Sequence, residues 1–416
     1  MESKKGYIIG VFTGMIIMMA VYLAAVLFFP HILSGNNQTA GGRFNEARPV
    51  VTPTPTPVFP SIGTKVDNIL ALLDMNYVES IDMEELADKI FREVVSLLND
   101  PYTSYMDETQ FTNFQEETEG VYAGIGVQVT GCRETNRILV VTPFEGTPGW
   151  VAGILPGDAI MMVNGQEVTG DRLSEAVSQI RGTPGTTVDL TIYRPSTSET
   201  FEHTITRAFI TVPTVNHKMV GDDIGYIRIT QFDRVTSGQF VEAYQDLVSR
   251  GMEGMIIDLR NNPGGLLSEV VRITDMLVPQ GLIVYTEDKA GRQSPTHSTP
   301  NYIGIPLVII VNGASASASE IMAGAVRDHG VGTLVGETTF GKGLVQNIFP
   351  LPDGSAVKVT VSKYFTPDGI CIQDVGLTPD HEVEMDIELA VRLSQLTLEE
   401  DVQLMRAIEV MNEKIR

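Results

Sequence analysis

LVIIVNGASASASEIMAGA, residues 307–325, decides how this chain folds. Five apolar residues, four of them β-branched, read as a buried strand. Asn312-Gly313 then reads as a turn, and the run through Ile321 and Met322 as a helix. Strand, turn and helix in that order are the unit of an α/β layer. Ser315, Ser317 and Ser319 stand in alternate positions at the junction, where helix N-termini present unpaired amides and a positive field. A serine there has an amide beside it that could hold an oxyanion. Plain helix capping explains one serine equally well, and the spacing does not choose among the three.

Outward from this stretch, strands alternate with helices from about residue 222 to 385: IGYIRIT, a helix to Arg250, MIIDL, a helix from Leu266, LIVYT, then the opening stretch. The strand in MIIDLRNNPGG (255–265) ends on Gly264 and Gly265, where glycine lets a backbone N–H approach a carbonyl closely. A nucleophilic serine also needs a base. Asp328-His329 is near in sequence, but adjacent residues point differently and His329 ends a helix.

GETTFGKG (336–343) is one residue from a phosphate-binding loop, with Gly343 where Ser or Thr is required. Such a loop must open a helix, and LVQNIFPLPDG follows with a strand-like rhythm. Lys342 is instead a candidate base, because burial disfavours its ammonium and leaves a neutral amine that can take a serine proton. If GKGLVQN is a strand, Lys342, Leu344 and Gln346 share a face, and Gln346 can orient the lysine.

Residues 120–210 form a small β-rich module, with strands GVQVT, RILVVT, VDLTIY and HTITRAF and one helix from Asp171 to Ile180. In YAGIGVQV (122–129), Ala123, Gly124, Ile125, Gly126 and Val127 form a turn whose inward amides could hold a carboxylate. Leu173, Val177 and Ile180 line one face of the helix. Together they predict a PDZ domain that takes a free C-terminus as an added strand, with its last side chain in an apolar pocket.

The chain has 416 residues, room for two or three domains, and a net charge of −23. That charge excludes nucleic acid as a partner, since phosphate binding needs clustered Lys and Arg. Gly6 to Phe29 runs 24 residues without a charge behind Lys4 and Lys5, which predicts a membrane span with a cytoplasmic N-terminus and the rest of the chain outside. A cleaved signal peptide is disfavoured because the run exceeds the ~7–15 residues of a signal core. Gly6, Gly10 and Gly14 make two overlapping GxxxG spacings that let such helices pair. Residues 31–60, with TPTPTP, read as a stalk. Two helices are expected between Thr64 and Leu98, broken at VESID and ended by Asn99-Asp100-Pro101. LEEDVQLMRAIEVMNEKI forms an amphipathic helix with Leu404, Ile408 and Met411 on one side. Cys132 and Cys371 fall in different modules and are not expected to pair; the six histidines show no metal-ligand spacing, so neither metal nor cofactor is expected.

LNDPYTSYM (98–106), AGILPGDAIMMVNG (152–165), DLRNNPGG (258–265), SASASEIMAG (315–324), TTFGKGLVQ (338–346) and YFTPDGICIQDVGLTPD (364–380) occur in one order, and by them the chain resembles the carboxy-terminal processing peptidases, or tail-specific proteases, over about residues 64–411. The resemblance implies Ser317 as nucleophile, Lys342 as general base and Gln346 as its orienting partner. Oxyanion donors map to the amide of Ala318 and to that of Gly264 or Gly265. Cys371 stands where the family pattern is polar, away from this set. The implied fold class is multidomain α+β: cytoplasmic N-terminus 1–5, transmembrane anchor 6–30, linker 31–60, helical region 61–118, PDZ domain 119–208, a crotonase-like Ser/Lys protease core 209–385, and a C-terminal helical region 386–416. Implied too are gating by the PDZ domain and homodimer contacts through 64–98 and 398–415; the expected substrates carry free apolar C-termini, and Arg181, which ends the PDZ helix, is the candidate for sensing the tail's carboxylate or relaying its binding. An anchored, non-catalytic PDZ scaffold is the alternative.

Overall fold

The computed structural model describes residues 60–416. The expected anchor at 6–30, its glycine spacings and most of the linker therefore lie outside the described residues. The chain divides into a unit ending at Ile81 and a unit from Asp82 onward. The first contributes the helix Pro60–Asn76.

The second opens with the helix Met83–Ser96, whose N-cap Asp82 accepts the amides of Glu84 and Glu85. The helix Glu108–Glu119 follows, with Asp107 and Gln110 in a reciprocal capping box and left-handed Gly120 ending it.

Next comes the β-rich module. Strands Val127–Cys132, Arg137–Pro143, Ala159–Val163, Thr187–Arg194 and Glu199–Thr206 pair antiparallel in that spatial order. The expected helix begins as a 3-10 turn, Gly170–Arg172, and becomes α-helical only over Leu173–Ile180. Ile138, Ile160, Leu190 and Ile192 fill its core. Strands Val121–Gly124 and Ala208–Thr211 pair with each other and close the module's two ends.

The α/β body is built on six strands: Val215–Val220, Ile224–Ile229, Gly254–Asp258, Leu307–Val311, Gly332–Gly336 and His381–Glu382. All but the first pair run parallel. Alternate residues face opposite layers, as the two-residue strand period requires. Met255, Ile257, Ile309 and Val311 pack against helices Thr236–Ser249, Leu267–Leu277 and Ala318–Asp328. Ile256, Val308, Ile310 and Val335 pack against helix Val402–Ile415.

Two expectations change here. LIVYT does not join the parallel layer: Leu282–Asp288 pairs antiparallel with Gln293–His297 and with Ala356–Phe365, in a second sheet. The apolar stripe of the last helix is not free for a dimer, because Leu404 and Met411 are buried in the body's own core and Ile408 packs on it. The second sheet also holds Ser104–Met106 and Leu344–Pro350, both on strand Ala356–Phe365. Sheet pairing thus places the LNDPYTSYM segment and the strand that follows Lys342 on either side of strand Ala356–Phe365.

Candidate active site

Ser317 stands at the N-cap of helix Ala318–Asp328 with φ 56° and ψ −112°. A non-glycine residue held at positive φ costs about 1–3 kcal/mol and persists only where its surroundings fix it. Its amide donates to Glu320 Oε2 at 2.8 Å, and its carbonyl accepts the Tyr364 hydroxyl at 3.0 Å. The other two serines are fully buried and committed. Ser315 Oγ donates to the Leu259 carbonyl at 2.8 Å, and Ser319 Oγ to that of Asn262 at 3.0 Å. Only Ser317 of the three lines a cleft, one of about 550 Å³ that it shares with Lys342 and Gln346.

Lys342 precedes the strand Leu344–Pro350 and is half-buried. Burial, then the charge of Lys358, hold its ammonium below the usual lysine range, against the opposing pull of Glu320 and Asp100. Glu320, fully buried, ties serine and lysine together. Its Oε1 accepts Thr339 Oγ1 at 2.6 Å and the Gly341 amide at 2.8 Å; its Oε2 accepts the amides of Ser317 and of Lys342, the latter at 3.0 Å. The Tyr364 hydroxyl also reaches the Lys342 carbonyl. Burial, with Glu320 nearby, keeps this phenol protonated well past the usual tyrosine range. Two anchors thus grip the backbone of both residues. Ser317 Oγ and Lys342 Nζ are not hydrogen-bonded to each other here, a looseness common before substrate binds.

Gln346 does not bond the lysine. Its Nε2 donates to Thr360 Oγ1 at 3.3 Å. The strand begins only at Leu344, so the alternation argued for GKGLVQN does not extend to Lys342, although Lys342, Leu344 and Gln346 all line the cleft. His329, at the far end of the serine's helix, faces the Leu282 carbonyl at 2.8 Å. That is roughly 18 Å along the helix from Ser317, so no Ser/His/Asp triad forms.

The Pro-Gly-Gly turn packs directly on the serine. A Cβ at Gly264 would fall 2.8 Å from Ser317 Cβ and 2.9 Å from the Ala318 nitrogen, so nothing larger than glycine fits. The two glycines differ in what their amides do. That of Gly264 donates to Asn262 Oδ1 at 2.9 Å, whereas that of Gly265 has no described acceptor and Gly265 lines the cleft. Ala318 likewise lines the cleft at the free first turn of its helix.

Asn262 and Glu320 were not singled out from sequence. Glu320 sits three residues after Ser317, the spacing of a capping box, which is the one signal that could have exposed it.

In the β-rich module, Gly124, Ile125, Val127, Val177, Ile180 and Arg181 line a groove of about 740 Å³. Strand Val127–Cys132 is an edge of its sheet, so one row of its backbone groups is open to an added strand. Three expected residues sit elsewhere. Ala123 is in the strand that pairs with Phe209. Leu173 packs on the module core. Gly126 supplies the left-handed turn at φ 75° against Thr147. Arg181 bonds Glu116 at 2.6 Å, its guanidinium 4.9 Å from the centre of the Tyr122 ring. Arg207, unforeseen, caps the groove helix by donating to the carbonyls of Gln179 and Ile180. Both cysteines are free.

A strained serine at a helix start, a desolvated lysine and a peptide groove define a serine-type peptidase with a tail-binding module. The sequence pattern of peptidase family S41 matches residues 223–383, that of the PDZ domain 123–205, and that of the "activating protease CtpB N-terminal domain" 44–110. The chain is 37% identical over 333 residues to the carboxy-terminal-processing protease of Bartonella bacilliformis, covering 78% of this chain and 75% of that one. It is 37% identical over 324 residues to the carboxyl-terminal-processing protease of Synechocystis, covering 77% and 75%. A Bacteroides fragilis structure described as an S41 protease shares the fold at TM-score 0.50 and 16% identity, over 83% of this chain and 97% of that one. The chain belongs to the S41 carboxy-terminal processing proteases.

Proposed function

We propose that this protease captures the free apolar C-terminus of a protein substrate on the edge of strand Val127–Cys132 and cleaves the chain with a Ser317/Lys342 dyad. One observation carries the reading: Ser317 and Lys342 share a cleft with Ala318 and Gly265, whose amides are both unspent. Neutral Lys342 takes the Ser317 Oγ proton as Oγ bonds the substrate carbonyl carbon, and the Ala318 and Gly265 amides hold the oxyanion. Lys342 returns the proton to the leaving amine as the C–N bond breaks, and water then hydrolyses the acyl-enzyme. Gln346, waiting on Thr360, is assigned to orient the lysine once substrate is bound.

In the groove, Ile125, Val127, Val177 and Ile180 take the last side chain. Arg181 leaves Glu116 to report the tail's carboxylate. The apolar segment Gly6–Phe29 anchors the chain, with the catalytic part outside the cytoplasm. Exposed Val94, Leu97 and Leu98 on and after helix Met83–Ser96 suit a homodimer contact.

The test is cleavage of an unfolded reporter ending in a free apolar tail against the same reporter amidated at its C-terminus. A drop of at least tenfold in kcat/KM on amidation supports tail capture; equal rates contradict it.

A further inference from the structure

In this structure the direct contact on the Lys342 amine is an aromatic face: the ring centre of Tyr102 lies 4.7 Å from Nζ. No described hydrogen bond or ion pair reaches that nitrogen. Tyr102 belongs to a segment whose only earlier significance was a family resemblance. The segment is held firmly. The Tyr102 amide donates to Asp100 Oδ1 at 3.0 Å, Thr103 Oγ1 donates to Asp100 Oδ2 at 2.6 Å, and the Thr360 amide donates to Thr103 Oγ1 at 3.1 Å. Ser104 then pairs with Lys358 in the sheet that carries the strand after Lys342.

We infer that Tyr102 is a positioning residue that stabilises the Lys342 ammonium formed when the lysine takes the serine proton. This rests on the dyad proposed above. A half-buried amine is readily neutral at rest, but the reaction turns it into an ammonium that the cleft must hold until the leaving amine takes the proton back. The charged and titratable groups facing it are Asp100 from the same loop, Glu320 from the serine's helix, Lys358 from the neighbouring strand, and Tyr364 through the lysine carbonyl. Glu320 favours the ammonium by charge, yet its oxygens are already taken by four donors. Lys358 opposes it. The quadrupole of an aromatic face fills that role, and burial, then the charges of Asp374, Asp100 and Glu320, hold the Tyr102 phenol in its protonated form above the usual tyrosine range.

The test replaces Tyr102 in the full chain with Phe and then with mono-, di- and trifluorinated phenylalanine. Fluorine drains the ring face while keeping its shape. Expected are a near-wild-type Tyr102→Phe and an acid limb of kcat/KM that falls stepwise, by about one pH unit across the series, with roughly a tenfold lower plateau. The limb moves down because losing stabilisation of the ammonium lowers the lysine pKa. Its position does not depend on how much of the enzyme is folded. An unmoved limb, or a Tyr102→Phe loss as large as that of the trifluorinated ring, overturns the inference. Lys342→Ala run alongside separates the two readings: activity without the lysine refutes the dyad, whereas lysine-dependent activity with an unmoved limb refutes only Tyr102.

Discussion

Glu320 accepts the backbone amide of Lys342 at 3.0 Å with the same carboxylate oxygen that accepts the amide of Ser317 at 2.8 Å. Residues 25 positions apart in sequence are thereby held to one atom. Glu320→Gln replaces one acceptor oxygen by a donor NH2 and sets it against donors. The expected result is a fall in kcat of about a hundredfold, as for a reacting group displaced by about 1 Å. Tail-peptide affinity, measured by fluorescence anisotropy, should stay within about twofold, since the groove lies in another module. Loss of tail binding to the same extent as kcat would point to general unfolding instead.

Asp233 lines the same cleft, and burial, reinforced by Glu117, lifts its carboxyl to about 6 despite the opposing Gln231 bond. The native carboxyl therefore keeps its proton above the pH at which an unfolded one loses it. Stability falls as pH rises from about 4 to about 6 on this account. Asp233→Asn should flatten that slope and stabilise the protein at pH 7 by about 2 kcal/mol. Urea unfolding at pH 4.5 and 7 checks this; an unchanged slope counts against it.

Buried Arg260 joins Asp258 at 2.6 Å and Asp401 at 2.7 Å, and Asp401 in turn caps the last helix through the Leu404 amide. Asp401→Ala leaves a buried guanidinium half-compensated and should cost about 3–5 kcal/mol in denaturant unfolding. Lys89→Ala, at the exposed 2.8 Å pair with Glu85, should cost about 0.5 kcal/mol or less. Similar costs at both sites would show that burial does not set the energetics here.

Much of the architecture was legible because it rests on local signals. The five apolar residues before Asn312-Gly313 form the buried strand they read as, and the helix ahead of Asn99-Asp100-Pro101 stops at Ser96. What stayed hidden depends on long-range pairing. LIVYT reads like its neighbours, and only its partners at 293–297 and 356–365 place it in the second sheet. The three serines are equivalent in sequence; burial against Leu259 and Asn262 removes two of them. Strand periodicity aims Gln346 at Lys342, but the strand starts only at Leu344 and the Gln346 amide is taken by Thr360 across the sheet. Tyr102 precedes its lysine by 240 residues, and no local pattern carries that distance.

The most direct measurement is cleavage of an unfolded reporter with a free apolar C-terminus by the full chain, its Ser317→Ala variant and its Lys342→Ala variant, with tail binding followed in parallel. The account predicts cleavage by the unaltered chain alone, with tail affinity unchanged in all three. Cleavage by either variant at the unaltered rate would contradict the dyad and move the chemistry to other residues.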